Sequence, residues 1–168
     1  SVSITASETS ICSGSSITFN ATPVNGGFFP SYQWKVDGVN VGANSSTFSS
    51  STLTNGNVIT CVLTASNSCQ NPASVTSNPI TISVFPYVTP AVTITASGNS
   101  ICSGVPVTFT ANTVNGGLYP DIKWYVNGFL TQFAPTTTFT TTSLANNDIV
   151  TCGINAYENC LTSFTATS

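Results

Sequence analysis

The sequence predicts an all-β chain built from two copies of one small sandwich domain. Three observations lead there. Tyr32-Gln33-Trp34-Lys35-Val36-Asp37-Gly38 returns as Ile122-Lys123-Trp124-Tyr125-Val126-Asn127-Gly128. In each copy apolar residues alternate with polar or mixed ones and run into Asp-Gly or Asn-Gly, the dipeptides that supply the positive φ angles of a tight hairpin. Landmarks recur at fixed spacing: Trp34 to Trp124 and Cys12 to Cys102 lie 90 apart, Cys61 to Cys152 and Cys69 to Cys160 lie 91 apart, so one residue is inserted between the two sets. Finally, each copy carries short strand-like segments separated by turn residues, with one Trp on a central segment. A buried Trp there is how an immunoglobulin-like sandwich fills the space between its sheets. The expected architecture is two tandem immunoglobulin-like β-sandwiches with Trp34 and Trp124 at their centres. The boundaries are 1–85 for the first repeat, 86–91 for a Pro-containing linker and 92–168 for the second repeat.

Each element has its own signal. Val2, Ile4 and Ala6 alternate with Ser and Thr, as do Val92, Ile94 and Ala96, marking a first strand in each repeat. Ser10-Ile11-Cys12-Ser13-Gly14 and Ser100-Ile101-Cys102-Ser103-Gly104 read as turns. The next strand holds Ile17, Phe19 and Ala21, matched by Val107, Phe109 and Ala111, with Ser or Thr on the wet face. Loops containing Asn25-Gly26-Gly27-Phe28-Phe29 and Asn115-Gly116-Gly117-Leu118-Tyr119 lead into the Trp strands. Asn-Gly-Gly is turn chemistry, but the two bulky residues after it are not needed for a turn. Thr-rich segments around Phe48 and Phe139 follow, then strands with Ile59, Cys61, Leu63 and Ala65, and Val150, Cys152, Ile154 and Ala156, on one face. Ile80, Ile82 and Val84 close the first repeat, whereas Ser168 corresponds to Ser77, so the second repeat lacks its last strand in this chain. Either the chain is cut from a longer array or a neighbour supplies that strand to an otherwise exposed edge. Phe85-Pro86-Tyr87-Val88-Thr89-Pro90-Ala91 reads as a semi-rigid spacer, because two prolines favour extended geometry, and the expected object is a rod of beads.

Of the 168 residues, 40% are hydrophobic, enough for a core in each half, but only 4% are charged, against roughly 25% in an ordinary soluble domain. Hydration therefore falls to Ser, Thr and Asn. Such a surface lacks long-range steering and has little charge for salt to screen. Two basic residues and a formal charge of -3 argue against nucleic acid, which needs several Lys or Arg on one face, and against an anionic membrane surface. No apolar run approaches the length of about 18 residues needed to span a bilayer, and no basic-apolar leader opens the sequence. The chain reads as a mature or excised piece of an exported protein. Six cysteines with no histidine or methionine point the same way, to an oxidising compartment.

Three cysteines per repeat cannot all pair within a repeat. Cys61 and Cys152 fall on the core face of a central strand, where a free thiol behaves as a small hydrophobe. Cys12 and Cys69, with Cys102 and Cys160, fall in turns and are the disulfide candidates. A simple sandwich puts those two turns at opposite ends, too far apart for Cα atoms that must lie within about 7 Å, so Cys12 with Cys61 stays open as an alternative. No C-x2-C pair and no His are present to hold zinc, and neither a metal nor a cofactor is expected. The five acids, Glu8, Asp37, Asp121, Asp148 and Glu158, are scattered, whereas acid-base catalysis needs a poised His or facing carboxylates. Asp37 is explained by its turn, and Lys35 and Asp121 read as a solvated face. No nucleophile motif, phosphate loop or calcium-binding Asp cluster occurs, so the expectation is a non-enzyme. The remaining contact candidates are Phe28, Phe29, Leu118 and Tyr119. They either pack on an adjoining repeat or linker, or project as a stacking surface for sugars or another adhesive target.

With these residues in place, the chain resembles the tandem Ig-like or PKD-like repeats of giant flavobacterial cell-surface adhesins of the gliding-motility (SprB) type. The resemblance covers nearly the whole chain. It rests on Ile-Cys-Ser-Gly (Ile11 to Gly14, Ile101 to Gly104), the Val-Asn-Gly-Gly loop, Tyr-Gln-Trp-Lys-Val-Asp-Gly, the Leu-Thr-Asn-Gly approach and Asn67-Ser68-Cys69. It implies type IX secretion, extracellular display at the outer membrane, and a structural segment of an adhesin filament in gliding and surface attachment. The implied partners are neighbouring repeats of the same long chain and a surface polysaccharide or substratum, with no membrane insertion. It also implies that Cys12 pairs with Cys69. The second copy departs from the pattern at Gly153, Tyr157-Glu158 and Phe129-Leu130-Thr131-Gln132. A carbohydrate-binding or adhesive module acting through the aromatic loops, and an accessory domain of a secreted hydrolase, are the alternatives.

Overall fold

The structure, a computed structural model, describes residues 1–66 and 73–168. The chain divides into two compact units, Ser1–Pro86 and Tyr87–Ser168. Unit 1 contains β1 (Val2–Ala6), β2 (Ser10–Cys12), β3 (Ile17–Pro23), β4 (Ser31–Val36), β5 (Val39–Val41), β6 (Thr47–Ser50), β7 (Val58–Thr64), β8 (Ser74–Thr76), β9 (Ile80–Thr81) and β10 (Ser83–Phe85). One sheet runs β1-β3-β6 and the other β5-β4-β7-β8, with β9 also on β7, while β10 pairs with β2 in parallel. Unit 2 contains β11 (Ala91–Ala96), β12 (Val107–Val114), β13 (Asp121–Val126), β14 (Phe129–Phe133), β15 (Thr138–Thr141), β16 (Val150–Asn155) and β17 (Thr165–Thr167). Its sheets run β11-β12-β15 and β14-β13-β16-β17. Both units are immunoglobulin-like β-sandwiches, and every element among the described residues is a strand.

The hairpin after each Trp strand forms because the chemistry at its tip allows it. Asp37 (φ 51°) and Gly38 (φ 81°), like Asn127 (φ 51°) and Gly128 (φ 81°), hold two successive left-handed residues. Such a turn matches the twist of the strands it joins. The inserted residue of the second repeat is visible as a β-bulge. In unit 1 Trp34 faces Val41 and Lys35 faces Asn40; in unit 2 Tyr125 faces Leu130 but Trp124 faces Gln132, leaving Thr131 extra. A bulge absorbs one residue without flipping the inward face of the flanking strand.

The indoles are central in both cores. Trp34 and Trp124 have no exposed surface. Phe19, Trp34 and Phe48 form a ring triad with centroids 6.2, 5.9 and 5.8 Å apart. Phe109, Trp124 and Phe139 repeat it at 6.3, 6.2 and 5.7 Å. Each triad takes one ring from each of three strands spanning both sheets, so it sets the distance between them. Cys61 and Cys152 sit directly opposite Trp34 and Trp124 on the neighbouring strand, and their backbone N–H groups donate to Ser77 Oγ and Ser168 Oγ.

One difference from expectation lies at the second segment of the first repeat. Ser10–Cys12, expected as a turn, is strand β2, because Ile11 is buried and β10 supplies a parallel partner. The corresponding 100–102 forms no strand, since unit 2 up to Ser168 has no counterpart of β9 and β10.

One polar detail distinguishes the cores. Trp34 Nε1 donates to Ser45 O at 2.9 Å, whereas Trp124 Nε1 is buried without a partner. Trp34→Phe forfeits a hydrogen bond that Trp124→Phe does not, so it is expected to cost its unit about 1 kcal/mol more. Native-state amide exchange of β4 and β13 measures the two losses, and equal losses contradict the assignment.

Candidate functional site

The two loops singled out by sequence share one construction. Asn25 (φ 59°) and Gly27 (φ 84°), and likewise Asn115 (φ 52°) and Gly117 (φ 86°), adopt left-handed backbone on either side of a glycine with little room for a side chain. A Cβ on Gly26 would meet Pro30 Cβ at 3.1 Å, and one on Gly116 would meet Pro120 Cβ at 3.3 Å. The middle carbonyls are held by residues just past the ends of β7 and β16, Ser66 N to Gly26 O and Tyr157 N to Gly116 O, both 3.0 Å. Phe29 N also donates to Ser66 Oγ. Pinned in this way, the loops turn their bulky pairs outward. Phe28 is 95% and Phe29 88% exposed, and Leu118 and Tyr119 are nearly as open. Gly27, Phe28, Phe29 and Ser66 border a shallow depression in unit 1. The matching end of unit 2 has one lined by Tyr157, Glu158 and Phe164. Neither aromatic was a contact candidate in the sequence, where Tyr157 stood out only as a departure from the repeat pattern; their counterparts Ser66 and Ala73 are small.

The acids mostly have structural employment. Asp37 Oδ1 accepts from Val58 N at 2.8 Å and its Oδ2 from Asn57 Nδ2 at 2.6 Å, tying the hairpin to the approach of β7. In unit 2 the charge has changed sides. Asn127 Oδ1 accepts from Ile149 N at 2.9 Å, and Asn127 Nδ2 donates to Asp148 Oδ1 at 2.7 Å. Hydrogen bonds from Ala145 N and the Asn127 amide hold the Asp148 carboxyl below its ordinary range. Asp121 Oδ2 accepts from Tyr157 Oη at 2.6 Å, and that bond holds the phenol above its ordinary value. Lys123 lies 5.7 Å from the Phe133 ring centroid. Among the described residues no group of three or more His, Cys, Asp or Glu is placed to hold a metal ion.

Cys12 and Cys160 are disulfide-bonded, while Cys61, Cys102 and Cys152 are free. Cys69 lies outside the described residues, and so does the expected Cys12–Cys69 pair. The Cys12–Cys61 alternative fails because Cys61 is a buried free thiol. The candidate pair Cys102–Cys160 is not formed either: Cys102 is an exposed free thiol. Distance is the reason. Cys102 precedes β12, whereas Cys160 follows β16 at the end where Tyr157 meets Gly116. The eight residues of β12 lie between those ends, about 3.3 Å each. The core thiols are held in the neutral form by burial, which raises Cys61 and pushes Cys152 up to about 11.

No protein-family model matches the chain, and no curated protein matches it. Solved structures that superpose on it include fibronectin(III)-like modules of Clostridium thermocellum CbhA, at 14% identity over 98% of this chain and 92% of that one, with a TM-score of 0.46. Murine CEACAM1b superposes at 11% identity, over 99% and 96% of the two chains, with a TM-score of 0.44. Three N-terminal domains of the bacteriophage RB49 Highly Immunogenic Outer Capsid protein (Hoc) do so at 15% identity and a TM-score of 0.44. There the match covers 99% of this chain, which spans 56% of the other. Likenesses at this level carry no statement about partners or activity.

The exchange of acid and amide between the repeats yields a double-mutant test. Asp37→Asn sets two amide groups against each other and Asn57→Asp sets two carboxylates together, so each is expected to cost about 0.5–1.5 kcal/mol. The double variant adopts the arrangement of unit 2 and is expected to regain most of that loss. Denaturant midpoints for the four chains measure the coupling, and strictly additive losses contradict it.

Proposed function

We propose that the chain is a structural repeat segment of an extended cell-surface adhesin filament. The observation that carries this reading is repetition of one core design. Two separate sandwiches keep the same triad, hairpin and pinned loop, with triad spacings agreeing within 0.3 Å. A bead copied for length needs each of these features, whereas a catalytic domain needs one copy to diverge around a site. The acids with described roles are spent on turns and on Tyr157. Hydroxyl and amide groups dominate a chain with 4% charged residues, which suits a spacer that must not bind at random. Disulfide-bonded Cys12 and Cys160 favour an oxidising, extracellular setting. Display at an outer membrane, type IX secretion and a part in gliding follow from the resemblance of the repeats alone.

Pulling the chain from its ends tests the mechanical role. On this reading the β ladders and disulfide bonding at Cys12 and Cys160 resist extension, and reductant lowers the unfolding force; pulling curves unchanged by reductant contradict it.

A second reading, adhesion through the aromatic loops, is favoured by the exposure of Phe28 and Phe29, since open aromatic faces stack on sugar rings. A glycan array then detects binding that the Phe28→Ser, Phe29→Ser double variant loses by about tenfold or more. An array on which the parent chain is silent removes that reading.

A further inference from the structure

Unit 1 closes its sandwich with Asn78–Phe85. Ile82 is wholly buried in the core. Its N–H donates to Asn57 O and its carbonyl accepts from Gly56 N; Ser83 N donates to Thr9 O, and Ser13 N to Phe85 O. Val84 N donates to Asn55 Oδ1, and Asn78 exchanges two side-chain hydrogen bonds with the backbone of Ile4. The segment is thus held by backbone pairing on two sides and by one apolar side chain driven between the sheets.

Unit 2 has a groove of about 640 Å³ at the same place. The positions that grip the strand in unit 1 have counterparts along its walls: Asn99, Ser103, Asn146, Asn147 and Asp148. The walls keep their shape. Asn147 holds φ 70° where Gly56 holds 90°. The turn bonds Asp148 N to Ala145 O (3.2 Å) and Val105 N to Cys102 O (3.1 Å) repeat Asn57 N to Thr54 O (3.1 Å) and Ser15 N to Cys12 O (3.0 Å). The apolar floor is left partly uncovered: Ile101 is 42% exposed where Ile11 is 7%, and Leu144, Val150 and Phe109, also lining the groove, are half-buried where Leu53, Ile59 and Phe19 are buried.

We propose that this groove receives an extended strand of β-branched apolar residues alternating with Ser or Thr, running parallel to 100–102, with one Ile seated between the sheets. The occupant is chosen by chemistry on both levels. Among the described residues, Asn99 O, Ser103 N, Asn147 N and Asp148 O have no counterpart of the backbone bonds that Thr9 O, Ser13 N, Gly56 N and Asn57 O make in unit 1, and such a row of groups asks for an extended chain, which pairs with every second residue. The open floor asks for an apolar side chain at that same period. Unit 1 shows the sequence that satisfies both, Ile80-Thr81-Ile82-Ser83-Val84. The inference is independent of the adhesin reading, and it makes 99–103 and 146–148 the two pairing edges for the strand that closes the second sandwich.

The test titrates the intact 168-residue chain with a synthetic peptide of residues 78–86, because unit 1 already holds its own copy at the corresponding place. Saturable one-to-one binding is expected. Amide exchange should slow at 99–103 and 146–148, with no change at 56–57. A peptide carrying Ile82→Asp is expected to bind at least about tenfold more weakly. Absence of protection at about 1 mM peptide overturns the proposal, as does equal protection by the Ile82→Asp peptide. Self-association of the chain that protects the same amides without peptide also overturns it, by assigning the groove to a second folded copy.

Discussion

Each unit depends on a Trp side chain wedged between two Phe rings. In unit 1 the triad draws Phe19 from β3, Trp34 from β4 and Phe48 from β6, so it cannot form unless both sheets are paired in register and face each other. Tilted and offset ring pairs add about 0.5–1.5 kcal/mol each beyond the area they bury, and the geometry is met twice to within a few tenths of an ångström. Other features read as service to this wedge. The Asp-Gly and Asn-Gly hairpins turn the Trp strand back at the right twist. The small thiols of Cys61 and Cys152 fill the space beside the indole on the next strand. The bulge at Thr131 absorbs an extra residue while Trp124 keeps its inward face.

The outside follows a different rule. With hydroxyls and amides in place of charges, the surface is held by many short hydrogen bonds. Examples are Thr18 to Ser49 at 2.8 Å and, at the corresponding place, Thr108 to Thr140 at 2.9 Å. These pairs replace the ion pairs that an ordinary sheet would use across strands, and salt does not screen them. Two of the few charged groups, Asp37 and Asp148, are built into turns, and there the repeats have exchanged an acid and an amide while keeping the contact. That exchange shows what the contact requires: one acceptor-rich and one donor-bearing side chain, on either side.

The fold was legible because period, turn chemistry and duplication all pointed to one answer. Alternating residues such as Ile17, Phe19 and Ala21 can only be a half-buried strand, and two copies 90 residues apart fix the unit. Less legible was whatever depends on where strands end. Ser10-Ile11-Cys12 looks like a turn because Ser, Cys and the following Gly are turn formers, and only the distant Ser83–Phe85 makes it a strand. The cysteines show the same limit. Spacing cannot say which thiols meet, and Cys102 stays free because strand length places it at the other end of the unit from Cys160. The loop aromatics were visible as an excess over what a turn needs. Their exposure depends on the bare glycine and the carbonyl held from across the loop, which no local pattern reveals. Phe164 was missed, and Tyr157 was seen only as a departure from the pattern, because neither has a bulky counterpart in the first repeat.

The central claim is that both indoles are sealed inside their own sandwiches, and acrylamide quenching of tryptophan fluorescence tests it most directly. The account predicts short-wavelength emission from both residues and quenching far weaker than in the denatured chain. A native chain in which either tryptophan emits at long wavelength and is quenched as freely as in denaturant contradicts it.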